Sequence, residues 1–387
     1  MTGVEMLFWV SLFVVVYSYA GYPALLWLGS RFIKRETGAG VMGQEGSLPP
    51  VTLIISAYNE EKVIGDKIAN ALSLEYPKEL IEIVVVSDGS SDRTTEIVSE
   101  SAERGVLLRH YEGRIGKTAC LNRAVPLATG RIIVFSDANS NYDTSAVKAL
   151  VRPFQDGTVG FVTGWTRYGA SEDMTSAGSL GFYSMLEFVT KDLESSIGSC
   201  VGADGAIFAI RKELYMPLKD HDINDFVIPL TINQQGYRGV LEKKAFCFEK
   251  DAGGTKEEFH RQVRITNRTI RAIINHRQLL NPFRFGLFSI ELFSHKLCRF
   301  LVPIFMIVLL ASNLLLAPRS GFYLLALIGQ MLFYGGAGTS AIIPKGGMLF
   351  RLTKAANTFV VVNFAMLLAW VKYLQGQKYT TWSPTQR

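Results

Sequence analysis

Four stretches of this chain, residues 6–30, 300–318, 320–344 and 355–371, contain no Asp, Glu, Lys or Arg. A helix that crosses a bilayer needs about 20 apolar residues at about 1.5 Å of rise each. The first and third stretches are long enough, the second is adequate and the fourth is marginal. Between them residues 36–299 read as an ordinary globular sequence, although the 387-residue whole is 48% hydrophobic and only 19% charged. This uneven distribution excludes a disordered chain, a secreted disulfide scaffold and a simple soluble protein. It predicts a soluble domain held between membrane segments.

Glu5 stands where a cleaved leader carries positive charge, and Arg31, Lys34 and Arg35 follow the first stretch, so residues 1–35 read as an uncleaved anchor. Those three cations, with Arg284, Lys296 and Arg299 ahead of the second stretch, place the middle of the chain in the cytoplasm. Arg319 alone suits an outer turn, and Lys345, Arg351 and Lys354 suit a return to the inside. A fourth crossing would leave Lys372, Lys378 and Arg387 outside, so the number of spans and the side of the C-terminus stay open. Residues 284–296 interleave Phe285, Leu287, Phe288, Leu292 and Phe293 with Arg284, Glu291 and Lys296, which predicts an amphipathic helix in the membrane surface. An amphipathic core helix is the alternative. The expected division is therefore an anchor at 1–35, a Gly-rich linker near 37–47, a globular domain at 48–280, an interface helix at 281–298, membrane helices at 299–375 and a tail at 376–387.

Cys120, Cys200, Cys247 and Cys298 lie far apart with no C-x-x-C spacing, which suits reduced thiols and not a zinc site. Much of the net charge of +6 comes from residues flanking the apolar stretches. It therefore points to membrane lipid head groups and phosphorylated ligands as partners, and not to nucleic acid.

Within the globular part, strands expected at 51–56, 81–87 and 131–136 are each followed by a polar loop, and helical patterns follow through Ile64, Ile68 and Leu72 and at 94–103. Strands alternating with helices imply an α/β fold with a mostly parallel sheet, whose ligands bind beyond the carboxyl ends of the strands. All three loops fall at such ends. The first carries Tyr58 and Glu60. The second carries Asp88, suited to a ribose or a base N–H, and Asp92, equally suited to capping the next helix. Gly116-Lys117 offers flexible backbone and a cation at a helix start, a setting for phosphate oxygens. Asp137-Ala138-Asn139 spaces two oxygen-bearing side chains that can grip Mg²⁺ or Mn²⁺, or can merely shape a turn.

In this order and setting, Ser56 to Glu60, Ser87 to Asp92, Gly116-Lys117 with Leu121-Asn122, and Phe135 to Asn139 resemble the membrane-bound family 2 glycosyltransferases, the group of cellulose, hyaluronan and poly-N-acetylglucosamine synthases. The resemblance continues through Cys200 to Ala206, Ile223-Asn224-Asp225, Arg261 to Arg264 and Ser294-His295-Lys296. It implies a GT-A fold, Rossmann-like, with flanking transmembrane helices. It also implies a nucleotide-sugar donor, usually a uridine diphosphate sugar, and inversion at the anomeric carbon. Carried over residue by residue, Tyr58 and Glu60 line the nucleoside pocket, Asp88 meets the base or ribose, and Lys117 helps to bind base or diphosphate. Asp137 holds a divalent metal, Mg²⁺ or Mn²⁺, with Asn139 standing where a second Asp is common. Gly202, Ala203, Asp204 and Gly205 fall in the loop beneath the acceptor sugar, Asp225 is the general base, and Arg261 and Arg264 approach the departing diphosphate.

Ile265 stands where processive members carry Trp, which leaves polymer extension and single addition both open. Arg268 and Arg271 share the face of Arg261 and Arg264 and read as a solvated or lipid-touching surface, and His221 reads as a loop residue. The expected activity is transfer of a sugar to a membrane-associated glycan or lipid-linked acceptor, in a protein integral to the cytoplasmic membrane with its catalytic domain in the cytoplasm. Exopolysaccharide or capsule synthesis is the expected setting, with export or synthase subunits as further partners. A non-catalytic nucleotide-sugar sensor is the alternative of another class. A nicotinamide-dependent dehydrogenase is excluded, because the place of its G-x-G-x-x-G turn reads Ala57-Tyr58-Asn59-Glu60.

Overall fold

The computed structural model describes residues 2–33, 48–168, 179–249, 255–340, 342–344 and 347–380. Lys34, Arg35, the linker, Lys345 and the last residues of the tail, Arg387 among them, lie outside the described residues.

Eight strands form one sheet: β1 (Val51–Ala57), β2 (Ile81–Asp88), β3 (Val106–Tyr111), β4 (Ile132–Asp137), β5 (Asn141–Tyr142), β6 (Val159–Tyr168), β7 (Ile207–Arg211) and β8 (Arg238–Glu249). Their order is β3-β2-β1-β4-β7-β6-β8-β5. The first four pair in parallel, whereas β7 is antiparallel to both β4 and β6. Near-continuous apolar runs suit parallel strands covered on both faces. In β1, Leu53 and Ile55 point into one core and Ile54 into the other, and β2 and β4 alternate in the same way. The fold is the expected mixed, mostly parallel Rossmann-like sheet.

The helix expected at 94–103 is shorter than its pattern. It runs Thr94–Ser99, and after a separate turn at Ala102–Arg104 the chain leaves through Gly105 at φ +86°. The core on one face of the sheet, with Ile54, Val86 and Phe135, extends to Phe288, Leu292, Phe300 and Met366 of the apolar helices. Gly3–Phe32, Leu287–Arg319, Gly321–Thr339 and Met348–Leu374 are long and apolar enough to cross a membrane. The predicted interface helix differs from expectation. It breaks at Gly286, where φ is +56°, and from Leu287 it continues without interruption into Leu287–Arg319. Glu291 and His295 are fully buried on this segment, Glu291 accepting the Ser199 N–H and His295 meeting Glu194 of the helix Ser179–Ile197. Met348–Leu374 packs along Thr255–Asn275, where Phe259 stacks on Phe364 and Asn267 donates to the Ala369 carbonyl at 3.2 Å.

Candidate active site

A cavity of about 930 Å³ opens at the carboxyl ends of β1 and β4. One side of it is built by loops that tie each other down. Asn59 adopts φ +52°, which its short amide tolerates, and its Oδ1 accepts the Ser91 N–H at 2.8 Å. Asp92 accepts from Glu61 N and Thr94 N, both at 3.0 Å, so it shapes the turn ahead of the helix Thr94–Ser99 and joins the two loops. The Arg114 guanidinium lies 4.1 Å from the centre of the Tyr58 ring, beside the cavity.

Lys117, Asp137 and Asn139 line this side together with Tyr58 and Glu60. Lys117 Nζ reaches Asp137 Oδ1 at 2.5 Å. Asp88, expected to meet the base or ribose, is engaged by the protein backbone. It is 3% exposed and lies outside the cavity lining, and both carboxylate oxygens accept the Gly116 N–H, at 2.9 and 3.1 Å. Its carboxylate thus braces the turn at Gly116, where φ is +93°, from which the helix carrying Lys117 begins.

The opposite side centres on Asp225, in the first turn of the helix Asn224–Gln234. Its Oδ1 is buried with no hydrogen-bond partner among the described residues. Burial raises its pKa above the ordinary carboxylate value, Asp137 and Asp204 add to the rise, and the charges of Lys117 and Lys191 oppose it. The preceding glycine loop is shaped around this carboxylate. A Cβ on Gly205 would stand 2.7 Å from Asp225 Oδ2, a Cβ on Gly202 would press on Phe226, and Ala203 N donates to the Asp225 carbonyl at 2.8 Å. Asp204 and Gly205 line the cavity, while Gly202 and Ala203 support it from behind. Asp204 is itself a tether, accepting from the Thr166 backbone and hydroxyl at 3.0 and 2.9 Å.

Arg261, Arg264 and Ile265 enter the cavity from Thr255–Asn275, as their spacing implies. Arg261 pairs with Glu258 at 3.1 Å. Burial lowers the pKa of Arg264, and repulsion from Arg261 adds to this. Arg268 departs from the solvated reading. It lines the same cavity and donates to the carbonyls of His221 and Asp222, holding the loop that delivers Asp225. Burial brings it down to about 10. The seven-residue step from Arg261 to Arg268 carried this signal, since it keeps both on one helical face. Arg271 is likewise occupied, donating to the Gln377 carbonyl at 3.0 Å and stacking on Tyr373.

Sequence reasoning also passed over Lys67. It sits on the apolar face of Ile64–Leu72, fully buried, where its ammonium donates to the Ser140 carbonyl just beyond Asn139 and lies 4.0 Å from the centre of the Tyr142 ring. A lysine three residues after Ile64 and one before Ile68, inside an apolar stripe, was the available signal.

Residues 52–216 match the family described as Glycosyl transferase family 2. This chain carries a family 2 glycosyltransferase domain. The domain is similar to a beta-monoglucosyldiacylglycerol synthase of Trichormus variabilis, 37% identical over 122 residues, which are 30% of this chain and 26% of that protein. It is also similar to a poly-beta-1,6-N-acetyl-D-glucosamine synthase of Staphylococcus aureus, 26% identical over 208 residues, 52% of this chain and 50% of that protein. The chain thus aligns with half or less of the length of these relatives. A mannosyltransferase from Pyrobaculum calidifontis, solved in complex with GDP-Man and Mn²⁺, superposes with a TM-score of 0.71 at 22% identity, covering 96% of this chain and 100% of that one. At that identity the likeness is one of fold, and the fold is GT-A.

Proposed function

We propose that the protein is an inverting glycosyltransferase. It moves a sugar from a nucleotide diphosphate sugar, a uridine diphosphate sugar by resemblance, to a membrane-associated glycan or lipid-linked acceptor. The observation that carries this reading is Asp225: a buried carboxylate oxygen without a partner among the described residues, in the same cavity as the Lys117–Asp137 pair and Arg264.

The acceptor hydroxyl must lose its proton as its oxygen attacks the anomeric carbon. Asp225 takes that proton, and its raised pKa keeps it basic enough to do so. Lys117 and Arg264 meet the negative charge that grows on the departing diphosphate, and Tyr58 with Glu60 receives the nucleoside. Asp88 acts through the Gly116 turn. A divalent cation fits the Asp137 side. Asp137 and Asn139 offer hard oxygen donors, and no cluster of three or more His, Cys, Asp or Glu stands among the described residues. That set suits Mg²⁺ or Mn²⁺ held jointly with a diphosphate. Lys117 already places a cation on Asp137 Oδ1, so a metal competes with it there. When bound, the metal would add positive charge at the diphosphate.

The basic residues Arg31, Arg284 and Arg299 support a cytoplasmic position for the domain. Single addition is the second reading. It is favoured by Ile265, which lines the cavity where a stacking ring would hold a polymer end. Purified full-length protein in lipid, supplied with a panel of sugar nucleotides and Mg²⁺, Mn²⁺ or chelator, tests both. Nucleotide diphosphate release with a product ladder means polymerisation, and one mass increment on a lipid acceptor means single addition. Donor binding without release under every supplement would overturn the enzyme reading.

A further inference from the structure

The loop that shapes the base is held from the membrane side. Glu291, on the membrane helix beginning at Leu287, accepts the Ser199 N–H at 3.3 Å. Glu194, near the end of Ser179–Ile197, accepts the Val201 N–H at 3.3 Å. Both carboxylates are fully buried, and Gly198 lies so close to Glu291 that any side chain there would collide with the carboxylate. Glu194 in turn takes Tyr22 Oη from the first apolar helix at 2.8 Å and His295 Nδ1 from the second at 2.7 Å. The other ring nitrogen of His295 meets Glu187 at 2.9 Å, where Lys296 and Arg299 converge at 2.7 and 2.8 Å. The two apolar helices each contain a π-helical turn at this level, Tyr17–Gly21 and Phe293–Cys298, joined by Tyr17 Oη and Ser294 Oγ at 2.8 Å. Such turns commonly mark functional positions in helices.

Buried carboxylates are costly unless they are hydrogen-bonded, and here the backbone they engage is the stretch that packs against Asp225. From Ser199 and Val201 the chain runs through Ala203, bonded to the Asp225 carbonyl, to Gly205 against the Asp225 carboxylate. We propose that Glu291 and Glu194 are positioning residues for acceptor transfer. They fix the seat of the acceptor beside Asp225 to the membrane helices, so that an acceptor presented from the bilayer arrives in register with the base. This rests on the reading of Asp225 as the base.

The test compares Glu291→Ala with Glu291→Gln, which keeps an oxygen for the Ser199 N–H, in full-length protein in phospholipid nanodiscs. UDP and GDP serve as donor-site binding probes, a panel of UDP- and GDP-sugars as the sugar donors for transfer, and dioleoylglycerol and a polyprenyl phosphate as acceptor probes. Glu291→Ala is expected to raise acceptor KM about tenfold with donor-site affinity unchanged, and Glu291→Gln to restore most of the loss. Acceptor KM unchanged in Glu291→Ala, or donor and acceptor constants shifted together, would overturn the proposal. If the wild type transfers to neither probe, the acceptor reading fails separately. Amide exchange at Ser199 and Val201 then decides: protection lost in the Ala variant and kept in the Gln variant supports the tether, and unchanged protection sinks it.

Discussion

The two sides of the cavity are held in different ways. On the side proposed for the donor, Asn59, Asp92 and Asp88 bind backbone or hydroxyl groups of loops about thirty residues away, all within one parallel strand set. On the side proposed for the acceptor, Asp225 has a carboxylate oxygen without a partner among the described residues. Arg268 fixes the loop before it, and Glu194 and Glu291 fix the glycine loop beside it, from three different helices, one of them long and apolar enough to cross a membrane. A side braced by short loops is expected to tolerate damage to the other. Binding and chemistry should therefore separate in mutants.

The largest separation is expected at Asp225. Asp225→Asn should lower transfer by about 10³-fold while the protein still binds nucleotide diphosphate, as steady-state rates and calorimetry would show. In the wild type, acid should quench kcat/KM. Protonation removes the base, and because burial raises the Asp225 pKa the acidic limb should lie above the ordinary carboxylate range, about 3.9. A rate profile from pH 4 to 8 measures this, and a limb at or below the ordinary value would argue against Asp225.

Gly205→Ala comes next. Its Cβ would sit 2.7 Å from Asp225 Oδ2, and displacing that carboxylate should lower kcat by roughly a hundredfold with donor affinity intact. Equal losses in binding and rate would blur the division between the sides.

The same contrast explains what could be seen in the sequence. The loops lining the side proposed for the donor were legible because a buried strand followed at once by polar residues marks a loop at the strand's carboxyl end, as with Tyr58 after β1 and Asp137 at the end of β4. That β1, β2 and β4 pair in parallel followed from their alternation with helices, whereas their order in the sheet did not. Tethers spanning long sequence separations were not legible. Nothing local to Glu291 announces that it turns inward, since in a surface helix it would fall among the polar residues, and the break at Gly286 that redirects the segment depends on packing. Asp88 was visible as a buried strand-end acid, but not that its oxygens would be taken by Gly116, because that turn folds back from residues outside its motif.

Smaller effects sharpen the comparison. Arg268→Ala frees the His221–Asp222 carbonyls and should lower kcat about tenfold, with donor affinity within twofold of wild type by calorimetry. Asp92→Ala removes the bonds to Glu61 N and Thr94 N that tie two loops and should lower stability by about 1 kcal/mol, read as a lower midpoint of thermal unfolding, while raising donor KM and leaving acceptor KM in place.

The most direct test measures donor affinity and transfer rate in parallel for Asp225→Asn and Lys117→Met, in full-length protein in lipid. Asp225→Asn is predicted to keep wild-type donor affinity and lose transfer, and Lys117→Met to lose donor affinity. Near-normal transfer by a folded Asp225→Asn protein, or loss of donor affinity in both variants, would contradict the assignment of base and donor to opposite sides of one cavity.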